Sequence, residues 1–190
     1  MAPLPQEQRY TFADLLSWDD NTRYELYDGQ PVALAAPSLA HQLICAELLR
    51  QIANYLVGKR CKIVPAPFDV RLFEEKDDTP EDVSFVVQPD LSIVCDPDKA
   101  DSHGCKGAPD MVIEVISPSS ARYDRLLKFN LYKRAGVREY WIVDPAAHAV
   151  SVHTLENGGY HTAAYGADSS VPVGIFDDCA VNLSTVFPEA

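Results

Sequence analysis

The 190-residue chain has no run approaching the roughly 18 consecutive apolar residues that a membrane-spanning helix requires. Its opening residues, Met1 to Gln8, carry neither the cationic start nor the apolar core of a secretory signal. A cytoplasmic protein with no membrane partner is expected. Cysteine is sparse: Cys45, Cys61, Cys95, Cys105 and Cys179 are odd in number, scattered, and never set as a C-x-x-C pair. That pattern speaks against a disulfide framework and against a structural zinc site, so reduced thiols are expected. Internal repeats, low-complexity runs and linkers are also absent, and residues 1–190 read as one domain able to bury a core.

Positive charge is short overall, with 16 Lys and Arg against 28 Asp and Glu and a formal net charge of −12. Taken whole, such a chain repels polyanions, and composition alone disfavours nucleic acid. The distribution changes that view. Residues 69–110 sum to −8 and residues 142–190, which lack Lys and Arg entirely, to −6, whereas residues 111–141 sum to +3. Six cations (Arg122, Arg125, Lys128, Lys133, Arg134, Arg138) face only Asp124 between 122 and 138. This reads either as a solvated helix face or as a basic edge beside a carboxylate-rich centre, the pairing a metal-dependent phosphodiesterase needs.

Hydrophobic periodicity sketches a mixed α/β domain. Thr11 to Trp18 reads as a short helix, and the alternation of Arg23 to Tyr27 followed by Asp28-Gly29 predicts an N-terminal β-hairpin returning through Val32 to Ala36. Ser38 can cap a long amphipathic helix to Val57. Cys61–Val64, Phe68–Phe73, Val83–Val87 and Leu91–Cys95 read as strands, 96–108 as a polar loop, and Met111–Ile116 as a strand in the middle of a sheet. A second helix from the Ser117–Ser120 stretch to Ala135 leads into the strand Glu139–Val143. The last 45 residues should supply edge strands of the same sheet.

One charge interrupts the central strand. Glu114 shares a face with Val112 and Ile116, so its carboxylate must be paired, hydrogen-bonded or metal-bound. Asp90 follows Pro89 at the start of the strand Leu91–Cys95. If the two strands are neighbours, both carboxylates converge where Mg²⁺ or Mn²⁺ can be held by a few acids, waters and a substrate phosphate. Lys128 lies four residues after Asp124 on the following helix; it is either a surface ion pair or an ammonium that reaches the carboxylates to position water and offset developing charge. His41 on the long helix could line the cleft, although a helix-surface histidine is the commoner case, and Tyr123 and Tyr132 are read as packing residues.

Asp90, then Glu114 on the next apolar strand, then a helix and a further strand, resemble the PD-(D/E)XK nuclease superfamily. More closely, the chain resembles the bacterial Uma-two family of restriction-endonuclease-like proteins. The resemblance is carried by Tyr24-Glu25-Leu26-Tyr27-Asp28-Gly29, Pro37-Ser38 with His41-Gln42, Pro67 to Leu72, Gln88-Pro89-Asp90-Leu91-Ser92, Glu114 to Ser119, and Tyr132 to Pro145. It implies a restriction-endonuclease-like core with a central mixed sheet flanked by helices, and a Mg-dependent endonuclease acting on nucleic acid, DNA foremost. It assigns Asp90 and Glu114 to the metal and Glu25 to a supporting role. Action as a homodimer to cut two strands comes from the same resemblance.

The general superfamily pattern places a lysine two residues after the second acid. Here that position is Ile116, which can neither orient water nor stabilise a phosphorane, and Lys128 is the substitute. Arg122, Arg125 and Lys133 would contact phosphates if they face the cleft. The acidic balance and Ile116 keep an alternative open, a nuclease fold serving as a catalytically inactive binding or assembly module.

Overall fold

The computed structural model describes residues 8–117 and 123–188, with the side chains of residues 123–125 outside that description. Local chemistry sets the first elements. Thr11 and Asp14 close a capping box, the Asp14 carboxylate accepting the Thr11 amide at 2.8 Å, and helix α1 (Phe12–Ser17) follows. Asp28 and Gly29, both at positive φ, turn strand β1 (Tyr24–Tyr27) into β2 (Gln30–Ala33), which is the expected hairpin. The Ser38 hydroxyl accepts the His41 amide and starts α2 (Leu39–Leu56), whose Ile44, Leu48 and Ile52 form one buried stripe.

Strands β3 (Lys62–Pro65), β4 (Val70–Arg71), β5 (Val86–Val87) and β6 (Leu91–Val94) come next. Regular pairing within the expected strands Phe68–Phe73 and Val83–Val87 is confined to two residues each. The stretch 96–108, expected as loop, folds back on itself as β7 (Ala100–Asp101) and β8 (Gly104–Lys106). β9 (Met111–Val115) is the central apolar strand. A π-helical segment, Tyr123–Lys128, continues into α3 (Phe129–Ala135), which Gly136 ends at φ 85°. β10 (Glu139–Asp144), β11 (Ala149–Glu156), β12 (Gly159–Gly166), β13 (Ser170–Pro172) and β14 (Ala180–Asn182) complete the chain.

The expected central mixed sheet runs β12-β11-β10-β9-β6-β3, with β9 and β10 parallel across α3 and every other neighbour antiparallel. A second six-stranded sheet, β2-β1-β5-β4-β8-β7, gathers the expected hairpin with the expected strands around β4 and β5; that they form a sheet of their own is not legible in the sequence, because it depends on pairing between distant segments. β11 and β12 extend the central sheet as expected. β13 and β14 pair only with each other: Val171, Val173, Val181 and Leu183 are buried against α2 and one face of the central sheet, so the segment covers that face instead of lengthening it.

The pleat of β9 sorts the two cores. Met111, Ile113 and Val115 pack with α2, while Val112 and Ile116 pack on the opposite face with Tyr132, Tyr140 and Val87 of the second sheet. Glu114 belongs to this second face.

The expectation of five reduced thiols fails for two of them. Cys61 and Cys95 stand opposite each other just beyond the β3–β6 pairing of Lys62 with Val94 and form a disulfide. They are 34 residues apart, and sequence spacing carries no trace of a cross-strand pairing that depends on register. Cys45, Cys105 and Cys179 are free and buried.

Two positions generate tests of this packing. A Cβ on Gly104, which sits at φ +129°, would lie 2.0 Å from the Asp69 carbonyl oxygen. Gly104→Ala should therefore cost at least about 2 kcal/mol, read as a lower denaturant midpoint at unchanged slope. His153 on β11 packs among Phe129, Tyr140 and Tyr160, and burial pulls its imidazole down from 6.5 to about 4. The folded chain holds it neutral while the unfolded chain protonates it below 6.5, so its contribution is intact above that pH and lost as pH falls towards 4. Unfolding free energy should drop by up to about 3 kcal/mol across that window, and His153→Phe should remove this part of the slope.

Candidate active site

Sheet topology brings distant acids to one place. β6 and β9 are antiparallel neighbours with Leu91 opposite Ile113, so Asp90, at the bend before β6, arrives beside the Glu114 end of β9. A cavity of about 810 Å³ opens there, walled by the β1–β2 hairpin, the first turns of α2 and the ends of β9 and β10. Glu25, Asp90, Glu114 and Lys128 all line it.

Three of these side chains touch. The Lys128 ammonium donates to Glu114 Oε1 at 2.8 Å and stands 3.1 Å from Glu25 Oε1. Tyr132 donates its hydroxyl to Glu114 Oε1 at 2.7 Å, Tyr27 donates to Glu25 Oε2 at 2.6 Å, and the Gln88 amide donates to Glu25 Oε1 at 2.9 Å. Asp90 is held separately: its Oδ2 accepts the Val115 amide at 2.7 Å, immediately after Glu114, and lies 3.1 Å from His41 Nε2. No hydrogen bond from a described residue ends on Asp90 Oδ1.

Burial governs the protonation states. Desolvation alone would pull the Lys128 ammonium down, but Glu114 and then Glu25 outweigh it and hold the group well above its ordinary value. Burial, followed by the Glu114 charge, pushes the Tyr132 phenol far up, and burial does the same to Tyr27, so both remain donors. Burial and the charges of Asp90 and Glu114 raise the Cys45 thiol as well. Cys45 is therefore a protonated thiol at neutral pH and no ready nucleophile, although it lies 3.6 Å from His41 Nδ1.

The structure thus brings Glu25, Glu114 and Lys128 into one bonded group with Asp90 on the same cavity. Lys128 is buried and not a surface residue. Lys133 does not line the cavity, and its ammonium sits 6.0 Å over the Phe129 ring. Arg134 stacks on Phe73 and Phe85, and Arg138 pairs with Asp110 at 3.1 Å, so these exposed members of the cationic stretch are engaged by rings and by a surface ion pair. Arg122 and the side chain of Arg125 lie outside the described residues.

Sequence reasoning missed the tyrosine donors and ranked the cleft-lining reading of His41 below the helix-surface one. Tyr27 shares a strand face with Glu25 by the two-residue alternation, and Tyr132 follows Lys128 by one helical turn; both spacings were readable. His41 is half-buried against Asp90 and not a plain helix-surface residue, because its helix starts at the cavity wall.

The donor set fits a hard divalent cation. Among described residues the cavity carries four carboxylates, Glu25, Asp90, Glu114 and Asp144, against the cations Arg23 and Lys128. One divalent ion would cancel the remaining charge, and carboxylate oxygens are the ligands such an ion takes.

Removing Lys128 should expose the strain of these acids. Lys128→Met leaves buried Glu25 and Glu114 without their cation and should cost about 3–5 kcal/mol at neutral pH by chemical denaturation. Adding Glu25→Gln should cost less than the sum of the two single changes. Because the folded value of Lys128 is raised, its contribution is fully present below 10.5 and is lost only as pH climbs through the higher folded value.

Comparisons with known proteins agree with this frame. An uncharacterized protein of Synechocystis sp., slr1290, is 28% identical over 161 residues, 83% of this chain and 79% of that protein. The crystal structure of "a putative nuclease belonging to DUF820" from Anabaena variabilis superposes with a TM-score of 0.72 over 93% of this chain and 97% of that one. Its identity of 18% makes it a likeness of fold. The model of the Uma2 family, described as "Putative restriction endonuclease", matches residues 12–183, a span that holds every cavity residue named above. The chain belongs to the Uma2 family.

Proposed function

We propose that this protein is a cytoplasmic, Mg²⁺- or Mn²⁺-dependent endonuclease that hydrolyses phosphodiester bonds of nucleic acid, with DNA as the expected substrate. The observation that carries the reading is that Asp90 and Glu114, brought opposite each other by the β6–β9 register, line one cavity that also holds a charged, buried lysine. Membership of a family described as restriction endonucleases and a fold shared with a protein titled a nuclease support it. No described helix is long and apolar enough to cross a membrane.

Asp90 and Glu114 would hold the cation. When bound, such an ion polarises a phosphoryl oxygen and makes its water a nucleophile at neutral pH. The chain's own groups prepare the place. The Val115 amide and His41 orient the Asp90 carboxylate, while Tyr132 and Lys128 fix Glu114. Lys128, kept cationic by Glu114 and Glu25, offsets negative charge gathering on phosphorus, the role a lysine at position 116 would otherwise fill. Glu25 holds Lys128 from the second sheet.

A second reading has an observation of its own. Ile116 is buried in the core, and Lys128 is engaged by both Glu25 and Glu114, an arrangement that also suits a binding or assembly module whose acids are structural. Incubation of the full chain with single-stranded, duplex and structured substrates across a Mg²⁺ and Mn²⁺ titration separates the two. The nuclease reading expects metal-dependent cleavage that falls by about a thousand-fold or more in Asp90→Ala and in Glu114→Ala. Absence of cleavage, together with a thermal midpoint indifferent to metal, would favour the module. Cleavage that survives both substitutions would mark a contaminant.

A further inference from the structure

We propose that His41, Cys45 and Asp90 form a binding site for one thiophilic divalent cation of the zinc class, distinct in donor chemistry from the hard-cation site but sharing Asp90 with it. One imidazole nitrogen, the thiol sulfur and one carboxylate oxygen lie mutually within 4.8 Å. His41 Nε2 lies 3.1 Å from Asp90 Oδ2 and its other nitrogen, Nδ1, lies 3.6 Å from Cys45 Sγ, so only one of these contacts involves the nitrogen that would take the ion and the 4.8 Å bound governs the rest. Ligand atoms around tetrahedral zinc, at bond lengths of about 2.0–2.3 Å, stand roughly 3.3–3.7 Å apart. Closing this cluster on an ion therefore takes side-chain shifts of about 1 Å.

The fold positions each donor before any ion arrives. His41 and Cys45 are one turn apart on α2 and share its face, and the Ser38 cap sets where that helix begins. Asp90 is anchored by the Val115 amide. All three line the cavity, so three protein donors face a space where a fourth ligand, water or substrate oxygen, can enter. Three donors with an open fourth position is the arrangement of exchangeable zinc, not of a closed structural site.

Donor type decides the metal. A thiolate and an imidazole are poor ligands for Mg²⁺ and good ones for Zn²⁺. On binding, the Cys45 S–H bond breaks and its proton leaves to solvent as the sulfur–metal bond forms. One His41 nitrogen contributes a lone pair, any proton on it passing to the other ring nitrogen or to solvent, and Asp90 contributes its carboxylate, so one thiolate and one carboxylate balance the dication. An ion held this way occupies Asp90 and takes it from Mg²⁺. Inhibition of cleavage by zinc follows, and that consequence rests on the proposed nuclease reading, whereas the site itself does not.

The test uses the full chain and Co²⁺ as the probe, in excess Mg²⁺ and without nucleic acid. One equivalent of Co²⁺ should give a sulfur-to-cobalt charge-transfer band, displaced by Zn²⁺. Cys45→Ser should abolish the band, and His41→Gln should weaken Zn²⁺ binding at least about tenfold. Cys105→Ser and Cys179→Ser should leave both unchanged. If the Cys45 or His41 variants do not fold, X-ray absorption of the zinc-loaded wild-type chain decides, with one sulfur in the first shell expected. No charge-transfer band, a band that survives Cys45→Ser, or a zinc shell of nitrogen and oxygen alone would overturn the site. A chain that shows the band but cuts nothing keeps this site and loses the nuclease reading; one that cuts with Mg²⁺ and shows no band does the reverse.

Discussion

The ammonium of Lys128 is the point on which three parts of the molecule depend. It joins Glu114 of the central sheet to Glu25 of the second sheet from a position on the helical segment that links β9 to β10. Each of the three charges is buried, and any one alone would face a desolvation cost of several kcal/mol. Together with the phenols of Tyr27 and Tyr132 they satisfy one another. The two sheets are thus brought together around a polar knot set in an otherwise apolar interface of Val87, Val112, Ile116 and Tyr140. Such a knot fixes alignment in a way that interchangeable aliphatic contacts do not.

Much of this arrangement can be read from residues alone, and what can be read has a common character. Asp28-Gly29, the Ser38 cap, the apolar run interrupted by Glu114 and the Gly136 stop are local signals, and each marks an element that exists. Glu114 is informative because a carboxylate between Val112 and Ile116 must be compensated, which is a statement of energy and needs no knowledge of the partner. The partner is harder. Lys128 and Glu25 are 103 positions apart and meet only through the second sheet, whose β4 and β5 are too short to leave a period. The Cys61–Cys95 bond escapes for the same reason, since strand register decides it. The Asp90 partner of His41 escapes because helical periodicity shows which residues share a face but not what stands opposite them.

Charge distribution shows a similar division between composition and placement. The acidic loop after β4 is partly neutralised on the spot: Arg71 is buried between Glu74 and Asp101, and Lys106 lies within 4 Å of both. Part of the cationic stretch is likewise engaged at the surface, with Arg134 on aromatic rings and Arg138 on Asp110. Neither the overall −12 nor the local excess of positive charge therefore translates directly into a surface potential. What a polyanion meets depends on which of these groups remain turned outward.

The cavity's walls come from the N-terminal hairpin, α2, β9 and β10, segments drawn from residues 23 to 146. No short contiguous fragment of the chain contains the site. Local helices and the β1–β2 hairpin can form early, because closing short loops costs little entropy, but the Glu25–Lys128 contact closes a loop of about a hundred residues and belongs to the high-separation contacts that slow folding. The chemistry of the cavity is in this sense a late product of folding. An acidic chain released from synthesis has the cavity's carboxylates, its lysine and its thiol dispersed, and they become a pocket only when both sheets have docked.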